Sequence, residues 1–252
     1  MILFLISVKM DMVIIMLKIE NLTKKYGDKK AVDNLTLHIE KGEIYGFIGH
    51  NGAGKTTTIK SCCGIQGFDE GEIYINGISV KENPVECKKI LAYIPDNPDL
   101  YNFMTGIQFL NFVADIFGVG ADERQLKIKK YAELFGLADD LPQQIKSYSH
   151  GMKQKLAVIS ALIHDPKLII MDEPFVGLDP KAAHILKGIM RDICNEGGAI
   201  FFSTHVLEVA EKLCDKVAII KDGKLVLSGK TEEVRGEASL EEIFLELGED
   251  DA

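Results

Sequence analysis

Gly49-His50-Asn51-Gly52-Ala53-Gly54-Lys55-Thr56 follows the spacing G-x-x-x-x-G-K-[ST], and the reading of the whole chain turns on this stretch. Its flanks are what a phosphate-binding loop needs. Ile44-Tyr45-Gly46-Phe47-Ile48 is an apolar run with the length of a buried strand. Thr57-Thr58-Ile59-Lys60 opens a helix expected to run to about Gly64. Glycines let the backbone bend tightly around an anion with its amides turned inward. A helix N-terminus adds partial positive charge at the same spot. Lys55 is therefore expected to reach the β- and γ-phosphates of a nucleoside triphosphate, and Thr56 to offer its hydroxyl to Mg²⁺. The expected nucleotide contacts of this segment are Gly49, Asn51, Gly52, Ala53, Gly54, Lys55, Thr56 and Thr57.

Around that loop the chain reads as one large unit. At 252 residues it can bury a full core without disulfides or metals. Its 29 Lys+Arg against 38 Asp+Glu give a net charge of −9, which argues against a broad nucleic-acid surface, and no nucleic-acid partner is expected. Cys62, Cys63, Cys87, Cys194 and Cys214 are odd in number and show no C-x-x-C spacing, so reduced thiols are expected and a cysteine metal site is not. No segment is apolar for the roughly 18 residues a membrane span needs. Residues 1–15 form a poor signal peptide, because no basic region precedes Met1–Val8 and Lys9 and Asp11 interrupt the pattern. They are expected to be an upstream extension without a role, with the natural start at Met16.

Strand signals come first along the chain. Leu17 to Glu20, Leu35 to Ile39 and Ile44 to Ile48 alternate or run apolar, with turns at Tyr26-Gly27-Asp28 and Lys41-Gly42. A strand over Glu72–Ile78 enters an Asn-Gly turn, and Ile90–Ile94 is another short buried strand. From about Asn97 to Ile163 the pattern changes to a helical period: Phe109, Phe112, Val113, Ile116 and Phe117, then Tyr131, Leu134, Phe135 and Leu137. Strands resume at Leu168–Met171, Ala199–Phe202 and Val217–Ile220, with helices between them. The expected fold is α/β, a mostly parallel sheet covered on both faces, with a helical insertion at about residues 97–163. Lys221-Asp222-Gly223-Lys224 closes a hairpin, and Leu240–Leu247 forms a short acidic amphipathic helix before an acidic tail at 249–252.

Two strand ends carry chemistry. Leu168-Ile169-Ile170-Met171 runs into Asp172 and Glu173, and ligands in open α/β sheets sit at the carboxyl ends of strands. Asp172 is placed to hold Mg²⁺, and Glu173 to polarise a water attacking the γ-phosphorus. Phe202-Ser203-Thr204-His205 repeats the design, and His205 is expected to contact the γ-phosphate. The other histidines, His38, His50, His150, His164 and His184, receive no such role. Tyr148-Ser149-His150-Gly151-Met152 precedes an apolar helix for which Ser149 is a good N-cap.

Taken in order, these motifs resemble the ATP-binding subunits of ABC (ATP-binding cassette) transporters over nearly all of residues 16–248. Gly49 to Thr56 matches the Walker A loop, Leu168 to Asp172 with Glu173 matches Walker B and its catalytic glutamate, and His205 the switch histidine. Tyr148 to Met152 looks like the L-S-G-G-Q signature, Gly177-Leu178-Asp179 like the D-loop, and Tyr26 like the aromatic that stacks on adenine. The resemblance implies a P-loop NTPase (RecA-like) core, an N-terminal antiparallel β-subdomain and an inserted α-helical subdomain. ATP and Mg²⁺ would be the cofactors, and two cassettes would pair head to tail. Each nucleotide would then lie between one phosphate loop and the partner's Ser149 and Gly151, with Asp179 nearby. The family's usual Gln is replaced by Asp96, whose implied role is a water-mediated contact to Mg²⁺; His150 and Met152 replace the first glycine and the glutamine of the signature.

The function so implied is an ATPase subunit that powers a separately encoded transmembrane permease from the cytoplasmic face of the cell membrane. The second cassette would be another copy of this chain or a paralogue. The short C-terminal tail, Gly177-Leu178-Asp179-Pro180 and the missing Gln resemble the bacterial branch that exports drugs, peptides or lipids. Two other readings compete with it. One is a soluble cassette ATPase acting on nucleic acid or ribosomes, which the charge and the lack of a second cassette disfavour. The other is a regulator that binds nucleotide without turnover, to which only Asp96 points.

Overall fold

A computed structural model describes residues 14–249; the rest of the expected extension and of the acidic tail lies outside the described residues. β1 (Ile15–Tyr26) and β2 (Lys29–Glu40) pair antiparallel across a turn at Gly27, whose φ of +58° supplies the left-handed residue. β2 alternates buried and exposed side chains from Leu35 to Ile39, the mark of a strand with one face on a core. The strand also begins earlier than expected. Ile15 pairs with Glu40, and the Ile14 carbonyl, just before β1, accepts from the Lys41 amide at 2.9 Å.

β3 (Ile44–Ile48) leads through residues 49–54 into α1 (Lys55–Cys62). Next come β4 (Glu70–Ile75) and β5 (Ile78–Ser79). The expected Asn-Gly turn is present: Asn76 and Gly77 both take positive φ (49° and 79°) and turn the chain back on itself, so that Ile78 begins β5. α2 (Pro84–Lys89), with proline at its first turn, precedes β6 (Leu91–Ile94). The helical stretch holds α3 (Gly106–Ile116), α4 (Ala121–Leu134) and α5 (His150–Leu162). Thr105 and Gln108 close a capping box at the start of α3, each side chain taking the other's backbone N–H. Phe112 and Ile116, part of the helical apolar period with Phe109, are 37% and 63% exposed. The buried row of α3 is Phe109, Leu110 and Ala114, a narrower strip than its apolar stripe.

β7 (Leu168–Asp172), α6 (Pro180–Asn195), β8 (Ala199–Thr204), α7 (Leu207–Leu213), β9 (Lys216–Lys221), β10 (Lys224–Lys230), α8 (Thr231–Arg235) and α9 (Leu240–Glu249) complete the chain. The strands form two sheets, ordered β2-β1-β4-β5 and β10-β9-β3-β8-β7-β6. The first is antiparallel throughout; in the second only the β9–β10 pair is antiparallel. Because β8 lies between β3 and β7, the loops that follow these three strands emerge side by side.

The larger sheet divides the core. Ile44, Ile48, Ile169, Met171, Ile200 and Phe202 face the helices of the insertion and α6. Tyr45, Phe47, Leu168, Ile170 and Phe201 face α1 and the antiparallel sheet. Successive residues of one strand thus enter opposite clusters, which is why these strands read as unbroken apolar runs. Phe201 is fully buried, 5.4 Å from the Phe47 ring and 6.1 Å from that of Tyr45 between centroids. Phe201→Ala is expected to destabilise the fold by about 3–5 kcal/mol, seen as a lower denaturant midpoint with an unchanged slope. All five cysteines are buried free thiols. Among the described residues, no helix is long and apolar enough to cross a membrane.

Candidate active site

The loop after β3 packs closely at two of its glycines, which have no room for a side chain. A Cβ at Gly49 would come within 2.6 Å of the Ile220 carbonyl oxygen, and one at Gly54, where φ is +110°, would strike the Ala31 carbonyl. Around this turn Lys55 folds back. Its ammonium donates to the carbonyls of Gly49 at 2.6 Å and His50 at 3.2 Å, and the residue is only 5% exposed. Burial pushes the Lys55 pKa below its ordinary value, and the carboxylates of Glu173 and Asp172 partly offset this. An anion set against the ammonium would favour its charged form further.

Thr56 links the loop to the strand ends. Its hydroxyl donates to Asp172 Oδ2 at 2.7 Å, while the Ser203 hydroxyl donates to Asp172 Oδ1 at 2.5 Å. Three elements therefore meet on one carboxylate: α1, β7 and β8. Glu173, the next residue, sits at φ 49°, a conformation non-glycine residues rarely adopt. Its amide donates to Ser203, and its side chain turns into the cleft. Glu173 Oε1 lies 2.9 Å from His205 Nδ1 and 3.8 Å from Lys55 Nζ, yet this buried oxygen accepts no hydrogen bond. The two nitrogens sit near this oxygen without hydrogen-bond geometry, and a water arriving there would complete its shell.

Tyr26, Asn51, Gly52, Gly54, Lys55, Thr56, Thr57, Asp96, Asp172 and Glu173 all line one cavity of about 290 Å³. Gly49 and Ala53 form the turn behind it, and His205 reaches it through Glu173. Ser149, Gly151 and Asp179 do not line it. They form a second cluster. Ser149 Oγ accepts from the Met152 amide and caps α5. A Cβ on Gly151 would press on the Gly177 carbonyl at 2.7 Å, while the His150 ring lies where a Cβ on Gly177 would go. Lys155 pairs with Asp179 at 2.6 Å, and this ion pair lowers the Asp179 pKa.

Several of these residues carry no site reading in the sequence. Ser203 was readable as one of two hydroxyls ending a buried apolar strand, but not as the donor to Asp172. His50, Lys29 and Ala31 line the cavity beside the loop and Tyr26. Gln66 accepts from the Tyr26 hydroxyl at 3.0 Å across 40 positions of chain, a contact that no local pattern announces. His164, by contrast, stacks on Phe117 at 3.7 Å between ring centroids and stays structural.

A family model described as ABC transporter matches residues 32–176. The chain is 37% identical over 212 residues to the ABC transporter ATP-binding protein YhcH of Bacillus subtilis, covering 83% of this chain and 68% of that one. It is 32% identical over 214 residues to the linearmycin resistance ATP-binding protein LnrL of the same organism, covering 85% of this chain and 69% of that one. A solved ATP-binding subunit of an ABC transporter superposes with a TM-score of 0.89 at 34% identity, covering 93% of this chain and all (100%) of that one. With a phosphate loop, an acidic strand end and a histidine converging on one cleft, and with these likenesses across most of its length, the chain belongs to the ATP-binding proteins of ABC transporters and is an ATPase of that family.

Proposed function

We propose that two cassettes close head to tail around ATP, and that this cycle drives a separately encoded permease. The carrying observation is the division of the machinery into two clusters. Lys55, Thr56, Asp172 and Glu173 line the cavity, whereas Ser149 and Gly151 sit elsewhere at the start of α5. A second subunit would supply those last two groups, with the α5 N-terminus set against the γ-phosphate. Lys55 holds the phosphates, Glu173 orients the attacking water, and His205 keeps Glu173 in place while facing the γ-phosphate. Asp179 lies beside the signature through its pair with Lys155 and reaches the second site with it.

The donor set also fits Mg²⁺. Among the described residues no group of three or more His, Cys, Asp or Glu is placed to hold a metal. Thr56 and Asp172 instead offer two adjacent oxygens, which suits an ion that takes the rest of its shell from phosphates and water. Asp96, exposed at the cavity edge, would join that shell through water. Bound there, Mg²⁺ would neutralise charge developing on the phosphates.

The permease would dock on the outer face of α3. The Tyr101 ring lies 5.8 Å from that of Phe103 and 5.7 Å from that of Phe112 between centroids, and Phe103 and Ile116 are 75% and 63% exposed. The cassette would therefore work as a peripheral protein on the cytoplasmic face of the membrane. The likeness to a linearmycin resistance protein supports export as the direction.

A shared site makes a kinetic prediction. Phosphate release per chain will rise with protein concentration, because each active site needs two chains. The measurement is specific activity over a hundredfold dilution series at saturating MgATP. A flat line would mean that a single chain is sufficient and would remove the two-subunit reading.

A further inference from the structure

Tyr26 ends β1 at the cavity edge and is 53% exposed, so its ring should be free to turn. Two contacts hold it. The hydroxyl donates to Gln66 Oε1 at 3.0 Å. Gln66 Nε2 in turn donates to the Thr57 carbonyl at 2.9 Å and to Ser61 Oγ at 3.3 Å. Thr57 lies in the first turn of α1 and lines the same cavity as the ring. The Lys24 ammonium lies over the ring, 5.3 Å from its centroid, and Lys24 does not line the cavity. One face of the ring is thus occupied by a cation, and the other is left for a ligand.

We propose that Gln66 is a positioning residue for the nucleotide base: it ties the Tyr26 ring to the first turn of the phosphate-loop helix. Base platform and phosphate seat then form one body. The ring loses its rotamer freedom on folding rather than on binding, so stacking a base against it costs less. This inference rests on the reading of Tyr26 as the stacking surface. Gln66 touches neither base nor phosphate in this scheme and acts only through the tyrosine.

The test compares MgADP with magnesium pyrophosphate, its nucleoside-free counterpart, by calorimetric titration; neither requires turnover. The readout is the ratio of the two affinities, which reports the nucleoside, and its change between variants of the ring reports the base. Tyr26→Ala should lower that ratio about tenfold, the scale of base–aromatic stacking. Tyr26→Phe, which keeps the ring and drops the tether, and Gln66→Leu should each lower it about threefold. The double variant should fall no further than either single one. Pyrophosphate affinity and thermal midpoint should stay at wild-type values in all of them, since both side chains reach solvent and Thr57 keeps the Ser61 hydroxyl as a donor. A wild-type ratio in Gln66→Leu, with a fallen ratio in Tyr26→Ala, would overturn the tether and leave the stacking reading standing. Additive losses in the double variant would overturn it as well. An unchanged ratio in Tyr26→Ala would remove the stacking surface and the proposal together.

Discussion

Glu173→Gln will lower steady-state ATP hydrolysis by about 10²- to 10⁴-fold, the contribution of a positioned general base, while ATP binding persists. The argument starts from Oε1, a buried carboxylate oxygen with no hydrogen bond, facing the same cleft as Lys55 and His205. That is the place for a water that must be oriented and relieved of a proton. Glutamine keeps the length and shape of the side chain but loses its charge and its basicity. The phosphate seat is built by other elements, the loop after β3 and the first turn of α1, so it survives the change. Removing a negative charge near the triphosphate should even raise affinity slightly. With ATP bound and uncleaved, the two-chain form should accumulate, because nothing dissolves it. Phosphate release and light scattering in the presence of ATP measure both halves of this. Turnover above a tenth of wild type would take the water-positioning role away from Glu173.

The parts that were legible in the sequence are those whose cause is local. The phosphate loop could be read because glycines, lysine and threonine must stand at fixed offsets. β7 and β8 could be read because strands buried on both faces leave unbroken apolar runs that end abruptly at Asp172 and Ser203. The turn at Asn76-Gly77 could be read because that dipeptide favours the positive φ a two-residue hairpin needs. Other features depend on what arrives from far along the chain. α2 and α8 span six and five residues, too few to show a period. The exposure of Phe112 and Ile116 depends on how much of α3 its neighbours cover, not on the spacing of its apolar residues. The contact of His150 with Gly177 and the tether from Tyr26 through Gln66 to Thr57 join loops that meet only in the folded chain. Asp172 could be picked out as a strand-end acid, but its grip by Thr56 and Ser203 could not.

Lys55→Ala should weaken ATP binding about ten- to hundredfold, the range set by a hydrogen bond to a charged group. Two functions are lost with the side chain. The first is the positive charge that meets the phosphates. The second is the clasp on the Gly49 and His50 carbonyls, which fixes the curvature of the loop. Folding should suffer much less. Burying an ammonium is unfavourable, as its lowered pKa records, so alanine relieves one cost while it removes two hydrogen bonds. The thermal midpoint should therefore move by only a few degrees while affinity collapses, and this split separates a binding role from a structural one. Lys55→Arg should not restore binding, because the wide planar guanidinium does not reproduce the clasp of a compact ammonium on the Gly49 and His50 carbonyls. Titration with ATP in the presence of a chelator, which stops turnover, measures the affinity directly. Wild-type affinity in the alanine variant would show that the loop binds its anion through backbone amides alone, and the cation at position 55 would then need another purpose.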